Sequence, residues 1–231
     1  MTQVIVLISY FIIFIIIMSI IAIYMLYQIT QVEKVAQLFL LSLFIYFLFM
    51  NLSNVVQAIE YAILYNQGMI IIPPNTRMMN SIQSFMCSGI APILLTHQVE
   101  KKFFPSIQLF SKYHLVMTIN IITGIVFIVM IILQIPTNIM VLLLYPVWGI
   151  NVIFISVTFL LLAIRSTGKY RQFAFLISIG WAINNLSNVF HGLFGASVLN
   201  DFTFGIIFLG KYIGTIMAAY GFYKIYSLKK V

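Results

Sequence analysis

The sequence predicts an all-α, polytopic membrane protein folded as a seven-transmembrane-helix bundle. Three observations carry this expectation. Of 231 residues, 63% are hydrophobic and only 7% are charged, whereas soluble domains are about 45–50% apolar and about 25% charged. Seven apolar stretches each reach the ~20 residues that a helix needs to cross a bilayer. The basic residues, finally, fall on alternate connections between these stretches. No soluble fold could hide so much apolar surface.

The spans are predicted at 4–28, 36–63, 79–97, 114–134, 139–164, 172–197 and 203–226. The first begins almost at Met1, with no basic segment before it. Its apolar run is too long for a signal-peptide core, so it reads as a retained helix. Lys34 lies between spans one and two. Lys101, Lys102 and Lys112 lie between three and four, and Arg165, Lys169 and Arg171 between five and six. Lys224, Lys229 and Lys230 lie at the C-terminal end, while the opposite connections carry only Arg77. Basic loops mark the cytoplasmic face. The N-terminus is therefore expected outside and the C-terminus in the cytoplasm, with the chain multi-pass in a prokaryotic-type cell membrane.

The same placement accounts for the net charge of +8 by topology, so no nucleic-acid partner is expected. Residues 65–78, with Pro73-Pro74, read as an external loop. Residues 98–113 read as the longest cytoplasmic loop, with an interfacial stretch around Phe103, Phe104 and Pro105. The whole of 1–231 reads as one transmembrane domain. No soluble domain is recognisable, and a signal would have to pass to a partner protein in the membrane or the cytoplasm. Membrane lipids are the other expected partner. The one cysteine, Cys87, can form neither an intrachain disulfide nor a cysteine metal cluster, and reads as a packing residue.

Asn-Leu-Ser-Asn-Val occurs twice, at 51–55 and 185–189. Both copies fall near mid-membrane, in spans two and six, which run the same way. Matching the copies would relate residues 1–97 to 139–231, with 114–134 as connector. That is a three-plus-one-plus-three internal repeat, an arrangement seen in some transporters. Asn51, Asn54, Asn185 and Asn188 would then line a midplane site. The alternative is that these amides and hydroxyls only join helices, at about 0.6 kcal/mol per hydrogen bond.

Span six has the best-organised polar face. At 100° per residue, Trp181, Asn184, Asn188, His191 and Gly195 share one arc. An indole, two amides and an imidazole suit a binding groove; the same arc also suits a tightly packed helix interface. Three ionisable residues lie in the outer part of the spans: Glu60 in span two, His191 in span six and Lys211 in span seven. A charge at helix centre costs about 2.5–3.5 kcal/mol on insertion scales, so such groups face a cavity or a partner. The sharp expectation is a Glu60–Lys211 ion pair with His191 beside it. The bland one is that Glu60 and Lys211 reach separately to the outer interface. Lys211 also lies within Gly210-x-x-x-Gly214, a close-packing signature that favours an inward position.

His97 and His114 flank the 98–113 connection, and interfacial position explains them without a metal. Asp201 reads as a helix N-cap for the residues from Phe202. No paired carboxylates, His-Glu-x-x-His, Gly-x-Ser-x-Gly or phosphate loop is present, so no catalytic residue, cofactor or metal is assigned and no enzyme is expected. A lysine in the seventh span invites a retinal-protein reading. Lys211 lies too near the outer side for that, and the third span, Asn80 to His97, lacks the acidic and arginine residues that microbial rhodopsins carry there.

Three stretches resemble the seven-helix membrane sensor region found ahead of some prokaryotic histidine kinases. They are Phe44-Ile-Tyr-Phe-Leu-Phe-Met-Asn51 through Ile59-Glu-Tyr61, then Gly89-Ile-Ala-Pro92-Ile-Leu-Leu95, and Lys169-Tyr-Arg-Gln172 followed by Gly180 and the Asn-rich sixth span. The resemblance implies a sensory or signal-relaying module. The chain departs from that family in having no kinase or other output domain, and no ligand residue carries over. The leading expectation is a non-enzymatic sensor module binding a small or lipidic ligand in its outer half, through Glu60, Lys211 and His191 over a floor of Trp181, Asn184 and Asn188. The alternatives are a transporter with the midplane Asn site, and a structural subunit of a membrane complex.

Overall fold

Hydrocarbon offers no partner to backbone N–H and C=O groups, so an apolar chain satisfies them internally as helix. The computed structural model describes residues 2–31, 34–66, 90–133, 135, 137–198 and 201–227, and every regular element among them is helical. The elements are α1 (Thr2–Ile29), α2 (Lys34–Asn66), α3 (Ala91–Phe103), α4 (Gln108–Ser111), α5 (Leu115–Ile132), α6 (Thr137–Arg165), α7 (Gly168–Val198) and α8 (Asp201–Ser227). The loop with Pro73-Pro74, Arg77, Cys87, Lys229, Lys230 and the first part of the predicted third span lie outside the described residues.

Among the described residues, four helical stretches are long and apolar enough to cross a membrane: Ile8–Ile29, Gln37–Glu60, Leu115–Ile132 and Gly205–Ile225; Gly149–Arg165 is a shorter apolar helix. Their surfaces suit lipid. Ile12, Ile16, Ile20 and Ile23 form an exposed stripe on α1, and Ile122, Ile125, Val129 and Ile132 form another on α5. Exposed isoleucine in such rows is costly in water and neutral in hydrocarbon.

The chain divides into two compact units, Met1–Gly149 and Ile150–Val231. The division falls inside α6, just after Pro146, where the ring removes a backbone donor from the helix interior. In the first unit α1 packs on α2, α2 on α3 and α3 on α5. The inward stripe of α1 is Phe11, Phe14, Met18, Ala22 and Met25, spaced three or four apart. It meets α2, whose own buried residues include Phe39, Leu43, Phe47 and Met50.

The predicted loop at 98–113 is largely helical. The helix α3 runs on to Phe103 because Val99 and Glu100 are themselves buried and hold the extra turn in place. It stops where Pro105 disfavours helical geometry at Phe104. The short α4 follows, and the Phe104 and Phe110 rings meet at 5.1 Å, tilted by 45°, across the bend.

In the second unit α7 and α8 lie antiparallel in very close contact. A Cβ added to Gly214 would sit 2.5 Å from the Asn184 nitrogen and 2.6 Å from the Gly180 oxygen. One added to Gly180 would sit 2.6 Å from the Ala218 nitrogen, and one on Gly221 2.8 Å from the Phe173 oxygen. Only residues without a Cβ let two backbones approach this closely. Helix α6 joins α7 through Ser178, whose hydroxyl donates to the Ser156 carbonyl at 2.8 Å.

Candidate functional site

Polar side chains inside apolar helices are the places to look for function, since each costs free energy unless matched. On α2, Ser53, Asn54, Gln57 and Glu60 are all buried, the last only 3% exposed. Their spacing puts them on one inward stripe of the helix. Ser53 and Gln57 were not anticipated as companions of Glu60, although the i, i+4, i+7 spacing was there to be read. Asn51 is half-buried and donates from Nδ2 to the Ser19 hydroxyl of α1 at 2.9 Å. Asn54 instead donates back to the Met50 carbonyl within its own helix.

Lys211 is only 2% exposed, and its ammonium lies 4.9 Å from the centre of the Phe208 ring. Its burial favours the inward position that the Gly210-x-x-x-Gly214 spacing suggested, over an excursion to the interface. Thr215, the next turn of α8, is fully buried as well. On α7, Trp181 and Asn184 are buried, and Trp181 meets Phe222 edge-on at 6.4 Å. Asn188 is half-buried and donates to the Asn184 Oδ1 at 3.3 Å. Since the backbone of Asn184 lies against Gly214, part of this polar arc is a packed helix interface. The backbones of His191 and Asp201 are helical, but their side chains lie outside the described residues. Glu60 belongs to the first unit and Lys211 to the second, and each is described within its own unit.

The two copies of the repeat share an orientation but not their bonds. Leu52 and Leu186 are exposed, while Ser53 and Ser187 are buried, so matched positions face the same way. Yet Asn51 bonds across to α1, while its counterpart Asn185 donates back to the Trp181 carbonyl at 2.7 Å.

One cluster was missed from the sequence. Glu100 is fully buried at the end of α3, and its Oε1 accepts from the Val116 N–H at 2.6 Å. Its Oε2 is 3.4 Å from the Met117 nitrogen and 3.8 Å from His114 Nδ1. The His114 and His97 rings meet at 4.4 Å. Beside them Asn120 donates to the Thr96 hydroxyl at 3.4 Å, both residues fully buried. Burial pushes the Glu100 carboxyl above its ordinary range, and the amides of Val116 and Met117 pull it part of the way back. The signal available was that Thr96, His97 and Glu100 share one helix face. Among the described residues no group of three or more His, Cys, Asp or Glu is arranged to hold a metal ion.

Compared with known proteins, the chain matches no family model, no curated protein and no solved structure.

Proposed function

We propose that the chain is a multi-pass protein of the cell membrane, with seven spans, the N-terminus outside and the C-terminus in the cytoplasm, and that it acts as a non-enzymatic sensor. In this reading it binds a small or lipidic acidic ligand in the outer half of its helices and relays occupancy to a partner protein. The observation that supports it is the burial of Lys211 inside an apolar helix. Keeping an ammonium there costs about 2.5–3.5 kcal/mol on insertion scales. A retained cation, with the Asn184 amide on the facing helix, suits a carboxylate or phosphate group. The stripe of Ser53, Gln57 and Glu60 gives the first unit a polar interior of its own.

The transporter reading draws support from the matched orientation of the two repeat copies, which fits duplicated halves. One set of measurements separates these readings. The full chain is purified in lipid nanodiscs, denatured, and the released small molecules are identified by mass spectrometry. An acidic compound present with the wild type and lost with Lys211→Met, at an unchanged melting temperature, supports the sensor site. A melting temperature lowered by Lys211→Met, with no compound released from either, would sink it. Uptake of that compound into proteoliposomes, abolished by Asn185→Leu, would favour transport instead.

A further inference from the structure

A groove of about 640 Å³ runs along one face of α7, lined by Gly168, Arg171, Gln172, Phe175, Leu176 and Ile179. We infer that this groove is a binding site for one anionic phospholipid, with the phosphate-bearing headgroup at Arg171 and Gln172 and an acyl chain along Phe175, Leu176 and Ile179. The inference is separate from the Lys211 reading and rests on the orientation proposed above, which puts the Gly168 end of α7 at the cytoplasmic face.

The chemistry changes along the groove in the order a phospholipid requires. Its mouth is polar and its floor apolar. Arg171 offers a planar fork of donors that matches a phosphate. Gln172 adds a neutral amide donor. Lys169 and Arg165 stand nearby and are exposed. The chain has only four acidic residues, and the one acid of the second unit, Asp201, opens α8 beyond the far end of α7. No acidic side chain of that unit is therefore placed at the mouth by the sequence. At Gly168 the backbone turns with φ +62°, and an added Cβ would meet nothing within 4 Å, which leaves the mouth open.

The dimensions agree. From Gly168 to Ile179 the helix rises about 16 Å, near the depth of one leaflet. Arg171, Gln172 and Ile179 are exposed, while Phe175 and Leu176 are half-buried, so the floor is accessible from the side, as an acyl chain entering from the bilayer needs. A soluble anion would gain nothing from this floor. Anionic lipids are concentrated on the cytoplasmic leaflet, and each basic residue near that surface strengthens their binding about fivefold.

Native mass spectrometry of the full chain in detergent tests this with phosphatidylglycerol and phosphatidylcholine of identical acyl chains. The wild type should bind phosphatidylglycerol in clear excess. Arg171→Gln should cut that excess about fivefold, and Leu176→Trp, which fills the floor, should lower the binding of both lipids. Lys112→Gln removes an exposed charge from another part of the chain and should leave the excess unchanged. Equal binding of the two lipids by the wild type would overturn the inference. So would an equal loss on Lys112→Gln, which would mean general charge attraction. Displacement of the lipid by inorganic phosphate alone would show a free-anion site and overturn it too.

Discussion

The carboxylate of Glu100 caps the helix that begins at Leu115. Its Oε1 accepts the Val116 N–H at 2.6 Å, so the last turn of α3 supplies the acceptor that the first turn of α5 lacks. The residue preceding α5, His114, makes no side-chain cap of its own and sits in the left-handed region at φ 46°. A left-handed non-glycine residue costs roughly 1–2 kcal/mol. That cost is offset where the bend lets a buried carboxyl oxygen accept from the free amides that open a helix.

Replacing Glu100 should therefore loosen α5 more than its place in a predicted loop suggests. Glu100→Ala leaves the Val116 amide buried without its acceptor and should cost about 1–2 kcal/mol. Glu100→Gln keeps an oxygen in place and should cost less. The pH dependence has a definite sign. Burial raises this carboxyl in the folded chain, so the folded state holds its proton to higher pH than the unfolded one. Stability from this group must then fall as pH rises from the ordinary carboxylate range through the raised folded value. The difference in melting temperature between wild type and Glu100→Gln, measured across that interval, should shrink steadily. A difference that grows with pH would mean the carboxylate is stabilised rather than destabilised by its site.

Apolar runs were legible because lipid-facing and core-facing residues are both hydrophobic, and a run of ~20 needs no partner to be recognised. Glu60 and Lys211 were legible for the converse reason: a charge stands out in such a run. Glu100 was not, because it lies in Gln98–Lys102, a polar stretch that hydropathy assigns to a connection. Its role depends on an amide sixteen residues away, a tertiary relation with no local signature. The repeat shows the same limit. Its sequence predicts the shared facing of Ser53 and Ser187, which follows from helical period alone. It does not predict that Asn51 and Asn185 bond differently, because that depends on which helix lies opposite.

The α7–α8 contact gives a sharper test of packing. Gly210 and Gly214 suggested a close approach from spacing, and Gly180 and Gly221 complete it from both sides. Gly214→Ala would push a methyl against the backbone of Asn184 and Gly180, neither of which can rotate away. The expected loss is about 1–3 kcal/mol. Gly149→Ala is the control, since its Cβ would meet nothing within 4 Å and alanine gains up to about 1 kcal/mol of helix propensity. Thermal unfolding in detergent should separate the two variants in opposite directions. Equal effects would mean that the glycines are tolerated rather than required.

The remaining prediction concerns what the repeated amides do. Asn51 reaches Ser19 on another helix, whereas Asn185, among the described residues, donates back to its own Trp181 carbonyl. A hydrogen bond between membrane helices is worth about 0.6 kcal/mol on average, because the separated helices find other partners. A double-mutant cycle of Asn51→Ala and Ser19→Ala should therefore show a coupling near that value. Asn185→Ala should lower stability without coupling to any side chain on α6 or α8, since its acceptor is a backbone carbonyl one turn away. The two cycles distinguish glue from site. If Asn51 and Ser19 are additive, their contact does no structural work, and the buried amide becomes a candidate for binding. If they couple as expected, the first copy of Asn-Leu-Ser-Asn-Val joins α1 to α2, and polar chemistry for a ligand has to come from the more deeply buried residues on the same stripe, Ser53, Gln57 and Glu60.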